Sequence, residues 1–141
     1  YRNCDGVIIA SVDYTQPSVT ELINSSIPVV TIDCVFDSCG SISSDNFKGV
    51  ADLIHYVYEK GHRKIAFIHG QDTNVTKIRV ASFCRTCQQL GISIPEKYLI
   101  SSAYTRPEMA AEHTRQLLEL PDPPTCIFYS DDISYIGGMK K

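Results

Sequence analysis

An α/β fold with parallel, doubly wound sheets is the class this sequence predicts. Short runs rich in β-branched apolar residues alternate with amphipathic helical segments along the whole chain, and the linkers between them are short. Its 141 residues, with 43% hydrophobic and 21% charged side chains, have the composition of an ordinary globular protein.

The first apolar run is Asp5-Gly6-Val7-Ile8-Ile9-Ala10 and the second is Ile27 to Asp33. Between them, residues 17–23 read as a short helix with Pro17 in its first turn. Strand, helix and strand in that order need a parallel sheet. A further short strand is expected at Ser41-Ile42-Ser43-Ser44.

From Phe47 to Lys60 the apolar residues Val50, Ala51, Ile54, Val57 and Tyr58 recur at helical spacing, and Gly61 stands where a left-handed terminating residue belongs. Lys64 to Gly70 reads as a buried strand, followed by a helix with Val80, Phe83, Cys84 and Cys87 on one stripe. Next come a strand at Tyr98 to Ser102, a helix from Pro107 to Leu120 with Ala110, Ala111, Leu117 and Leu118 inward, and a strand at Thr125 to Tyr129. A last helix opens at Asp132, where that carboxylate is placed to cap it, and runs on to Lys141. With no Met at position 1 and that unit still unclosed, the sequence reads as truncated at both ends.

In an open parallel sheet, ligands bind beyond the carboxyl ends of the strands, where loops diverge and helix N-termini point outward. The residues there are Ser11, Asp45, the stretch from Thr73 to Arg79, Tyr104 and Asp131. Carboxylates, a guanidinium, hydroxyls and one aromatic ring suit a polyhydroxylated ligand with an apolar ring face. An alternative stays open for each: Asp45 and Asp131 as helix caps, Thr73 and Asn74 as a turn, Arg79 on a solvated face, Tyr104 filling a gap.

Other chemistry finds little support. A net charge of −3 supplies no basic stripe for nucleic acid. The six cysteines are scattered, which fits a reducing cytoplasmic setting, and Cys84 and Cys87 share the apolar stripe of a helix. No metal site is assigned, since a zinc site would need two further ligands at suitable spacing. The histidines His55, His62, His69 and His113 accompany no nucleophile motif, and only His69, at a strand end, is a candidate for the cleft. The basic stretch from Lys60 to Lys64 reads as a surface turn. No enzyme activity and no cofactor are expected.

Several segments in series resemble the lactose-repressor (LacI/GalR) family of transcription regulators: Ile27-Pro28-Val29-Val30-Thr31-Ile32-Asp33, then Ser43-Ser44-Asp45-Asn46-Phe47-Lys48-Gly49, then Gly61 to Ile68. Arg79-Val80-Ala81-Ser82-Phe83 is similar to that family's Arg-x-x-Gly-Phe segment, and Pro121 to Asp132 to its Pro-Pro-Thr-Ala-Ile-Phe…Asn-Asp segment. The likeness covers nearly the whole chain.

It implies the type I periplasmic-binding-protein architecture, in which two α/β subdomains hold an effector in the cleft between them. Residues 1–44 would form the later part of the first subdomain and 45–141 most of the second. Asp45, Arg79, Tyr104 and Asp131 would then stand at effector-contacting positions, together with Thr76 and Ser11. Ser82 stands where the family has Gly and Asp131 where it often has Asn, and an acidic Asp131 favours a hydroxyl-donating ligand. The implied function is effector binding, with a carbohydrate or related metabolite as partner. Operator DNA would be bound by an N-terminal helix-turn-helix outside these residues, in a cytoplasmic homodimer with no membrane partner. The alternative is a periplasmic sugar-binding protein of an ABC transporter, which shares the fold.

Overall fold

The computed structural model describes residues 4–10 and 14–140. The chain divides into two compact units, Tyr1–Asn46 and Phe47–Lys141. Each contains one parallel three-stranded sheet.

In the first unit, β1 (Val7–Ile9), α1 (Pro17–Ile23), β2 (Val29–Ile32) and β3 (Gly40–Ile42) follow one another, and the strands lie in the order β1-β2-β3. Val7 pairs with Val29 and Ile9 with Thr31, which places these four side chains on one face. Ile9 and Val29 bury there against Ile23 of α1, with Tyr14, Leu22 and Phe36 around them. Thr31 shares that face and is satisfied by hydrogen bonds with the Cys34 carbonyl at 2.5 Å and the Ser41 hydroxyl at 2.8 Å. Pro17 opens α1 as expected.

The second unit runs α2 (Asn46–Glu59), β4 (Ile65–His69), α3 (Asn74–Gln89), a 3-10 turn (Glu96–Tyr98), β5 (Leu99–Ser101), α4 (Pro107–Leu118), β6 (Cys126–Tyr129) and α5 (Asp132–Met139). Its strands lie in the order β5-β4-β6, so β4 is central. Period-two alternation sends Ile65 and Phe67 to one face, where Val50 and Ile54 of α2 and Phe83 and Cys87 of α3 pack on them. Ala66 and Ile68 go to the other, against Tyr98 and Leu117 of α4. Helices on both faces make this sheet doubly wound. Gly61 closes α2 at φ 96°, in the left-handed region, where a Cβ is unfavourable.

Several details differ from the sequence expectation: β3 is Gly40–Ile42, not Ser41 to Ser44, and α5 ends at Met139. Leu118 is 48% exposed, and the inward positions of α4 are Ala110, Thr114 and Leu117. Thr114 is tolerated inside because its hydroxyl donates back to the Ala110 carbonyl at 2.6 Å and meets the Tyr129 hydroxyl at 2.8 Å. Tyr98 belongs to the 3-10 turn before β5, with its hydroxyl on the Asp122 carbonyl. Thr73 and Asn74, open as a turn in the sequence, are the cap and first residue of α3. The cap of α5 is Asp131, and Asp132 is its first helical residue.

Candidate functional site

The carboxyl ends of β4, β5 and β6 gather four of the six residues singled out from the sequence. Thr76 and Arg79 sit one turn apart on α3 and therefore share a face. The Thr76 hydroxyl lies 2.7 Å from the hydroxyl of Tyr104, which follows β5. Arg79 donates from Nη1 to the Ser130 carbonyl at 2.8 Å, just past β6. The first two turns of α3 thus tie together the ends of both flanking strands.

Local sequence explains each placement. Thr73 is extended and its hydroxyl accepts from the Thr76 backbone N–H at 3.1 Å, which starts α3 directly after the β4 loop. Asp131 starts α5 in the same way, Oδ1 accepting from the Ser134 N–H at 2.8 Å. Its second oxygen accepts from the hydroxyls of Ser134 at 2.8 Å and Ser130 at 3.1 Å. Of the two readings open for Asp131, the helix-capping one is realised, and both carboxylate oxygens are engaged within the protein. Arg79 is half-buried, which replaces the solvated-face alternative.

The tyrosine is seated by space as well as by its hydrogen bond. Gly70 is buried immediately after β4, and a Cβ there would overlap Cζ, Cε2 and the hydroxyl oxygen of the Tyr104 ring. The next residue, Thr105, has φ 62°, an unusual conformation for a β-branched side chain. Farther along α3, burial pushes the Cys87 thiol up to about 11, with the nearby Cys84 adding to the effect. Cys87 is a core side chain of α3, packed with Phe83 and Phe67.

Asp45 is exposed and belongs to the first unit, three residues past β3. Ser11 lies outside the described residues. His69 directs Nδ1 to the Gly70 carbonyl at 2.9 Å and packs edge-on to Phe67. The Lys60 to Lys64 segment is a surface turn, with Arg63 stacked on Tyr58 and bonded to its carbonyl, and Lys64 paired with Asp122. Ser82, where the resembled family has Gly, is fully buried and donates to the Phe47 carbonyl at 2.6 Å, pinning α3 to the first turn of α2. Gly70, Ser130 and Thr105 were not singled out from the sequence; of these only Gly70, a glycine directly after a buried strand, left a local signal.

Among the described residues no cluster of His, Cys, Asp and Glu is arranged to hold a metal ion, and no helix is long and apolar enough to cross a membrane.

Comparison with known proteins agrees with this α/β fold. The family described as periplasmic binding proteins and sugar binding domain of the LacI family matches residues 1–139. The HTH-type transcriptional repressor CytR of Escherichia coli K12 is 28% identical over 102 residues, covering 72% of this chain and 30% of CytR. The repressor PurR of Escherichia coli O139:H28 is 27% identical over 143 residues, covering 98% of this chain and 42% of PurR. A LacI-family regulatory protein from Chloroflexus aggregans superposes with a TM-score of 0.86 at 26% identity, covering 99% of this chain and 51% of that one. The chain therefore spans about half, or less, of the length of these relatives.

Proposed function

This chain belongs to the family of periplasmic binding proteins and LacI-family sugar binding domains, and from that premise we propose that it supplies part of a small-molecule effector site in a transcription regulator. The effector is a sugar or a related hydroxylated metabolite. The observation that carries the reading is the convergence of Thr76, Arg79, Tyr104 and the Ser130–Asp131 turn at the carboxyl ends of one parallel sheet. Open parallel sheets bind ligands at that edge.

Arg79 is the principal recognition residue in this reading. Its guanidinium is held in place by the Ser130 carbonyl, so forked donation to ligand hydroxyls costs little reorganisation. Tyr104 offers a ring to an apolar sugar or base face. Asp131 fixes Ser130 and the start of α5, and its carboxylate keeps acceptor capacity for a hydroxyl-donating ligand. Asp45 and Ser11 are kept as proposed effector contacts. Binding here would shift a conformational equilibrium in the intact regulator. Operator contact is assigned to a helix-turn-helix segment outside these residues, in a cytoplasmic homodimer. The relatives CytR and PurR are transcriptional repressors, which favours this over a transporter-feeding or enzymatic role.

Thermal denaturation of the chain with D-glucose, sucrose, D-ribose, ribose 5-phosphate, adenosine or cytidine tests the proposal. A binder present at a hundred times its Kd stabilises the folded state by about 2.7 kcal/mol. At least one compound is expected to raise Tm by several degrees and to be recovered unchanged, and Arg79→Ala is expected to abolish the rise. No rise with any compound at millimolar concentration contradicts the reading.

A further inference from the structure

Gly70 carries no side chain for a reason unrelated to its own backbone. The glycines with left-handed φ are Gly61 and Gly91, and Gly70 is not among them. An alanine there would meet no conformational penalty of the kind that reserves left-handed positions for glycine. The obstacle is the edge of the Tyr104 ring, which occupies the volume a Cβ would need.

Two further features bear on the same ring. Its hydroxyl is held 2.7 Å from that of Thr76, which in turn lies 3.0 Å from the Thr73 hydroxyl at the start of α3. The adjacent Thr105 adopts φ 62°, and strain of this kind persists only where the surroundings over-determine the conformation. Together the empty position, the hydroxyl clamp and the strained turn fix the ring in one place at the mouth of the strand ends.

We infer that Gly70 is a positioning residue for ligand recognition: it sets the seat, and hence the exposed face, of the Tyr104 ring on which a ring-shaped effector with a flat apolar face stacks. The inference rests on the effector-site reading above and adds the residue that orients the aromatic platform. Any larger side chain at position 70 would swing the ring away while leaving Tyr104 in the sequence, so loss of binding would follow from an alanine that touches no ligand.

The test is a double-mutant cycle on the whole chain with Gly70→Ala and Tyr104→Ala, read by thermal denaturation. Gly70→Ala alone is expected to lower Tm by about 5 °C, since overfilling a packed site forces a displacement. In the Tyr104→Ala background the same substitution is expected to change Tm by no more than about 1 °C. If Gly70→Ala fails to fold, recovery of folding in the double variant is the supporting result.

A second readout follows the ring itself. In chain labelled with 3-fluorotyrosine, the Tyr104 fluorine resonance is the one lost in Tyr104→Phe. Gly70→Ala is expected to move that resonance toward the position of the free amino acid while the other tyrosine signals stay in place. A Gly70→Ala penalty that persists without the Tyr104 ring, or a Tyr104 resonance that does not move, overturns the inference. An intact coupling beside an effector screen with no hits overturns the platform role and the effector reading, but not the seat.

Discussion

The two units use the same kind of strand in different surroundings. β4 in the second unit is buried on both faces, Ile65, Ala66 and Ile68 being fully inaccessible and Phe67 nearly so. β1 in the first unit has an equally apolar sequence, Val7-Ile8-Ile9, yet among the described residues only one of its faces is covered, and Ile8 is 73% exposed. Ile32 and Ile42 lie on the same open face as Ile8. A continuous run of β-branched residues therefore specifies a strand without specifying how many of its faces are packed. The larger share of the chain's stability is accordingly expected to reside in the second unit.

The largest expected effect puts that contrast at risk. Phe67→Ala empties a site shared by Phe83, Phe128 and His69 and should cost about 3–5 kcal/mol in urea unfolding. Val29→Ala in the first unit removes less buried surface and should cost about half as much. Equal losses would remove the asymmetry between the units. Next in size is Ser82→Gly, which deletes the hydrogen bond to the Phe47 carbonyl and places glycine in a helix interior. A loss of about 2 kcal/mol is expected by the same measurement.

Two smaller effects sharpen the description of the strand ends. Asp131→Ala should cost about 1 kcal/mol as a lost helix cap, whereas Asp132→Ala should stay within about 0.5 kcal/mol. Relief of the left-handed conformation at Thr105 makes Thr105→Gly stabilising by about 1 kcal/mol, the gain being offset in part by the extra backbone freedom of glycine. The smallest effect is read from pH. The Cys87 thiol stays protonated up to about 11 in the fold, against 9.0 as its ordinary value. The unfolded chain thus binds fewer protons than the folded one above pH 9, and stability should fall as pH rises from 9 toward 11. Cys87→Ala should reduce that slope in denaturation curves collected across the range.

The order of elements was legible because apolar periodicity and its punctuation are local. Pro17, Gly61 and the Val80, Phe83, Cys84, Cys87 stripe lie where their spacing indicated. Errors arose where a nonlocal partner decides. Thr114 is buried in place of Leu118 because the Tyr129 hydroxyl, on β6, satisfies it. Asp131 and Asp132 are both acceptable caps by composition, and the choice falls to the one whose carboxylate reaches the Ser134 N–H. The candidate site shows the same division. Strand-end position and family likeness single out Thr76, Arg79, Tyr104 and Asp131 as candidates, while the placement of Gly70 and Ser130 depends on side chains 34 and 51 residues away in sequence, Tyr104 and Arg79 respectively.

Amide NMR of the chain titrated with the compounds of the sugar and nucleoside panel tests the central claim most directly, because it compares the two ends of one sheet in a single experiment. If the carboxyl ends of β4, β5 and β6 form the effector site, chemical-shift changes should concentrate at residues 70–79, 102–106 and 130–134. Changes concentrated instead at the opposite ends of the same strands, residues 61–64 and 122–125, or no saturable change with any compound, would contradict it.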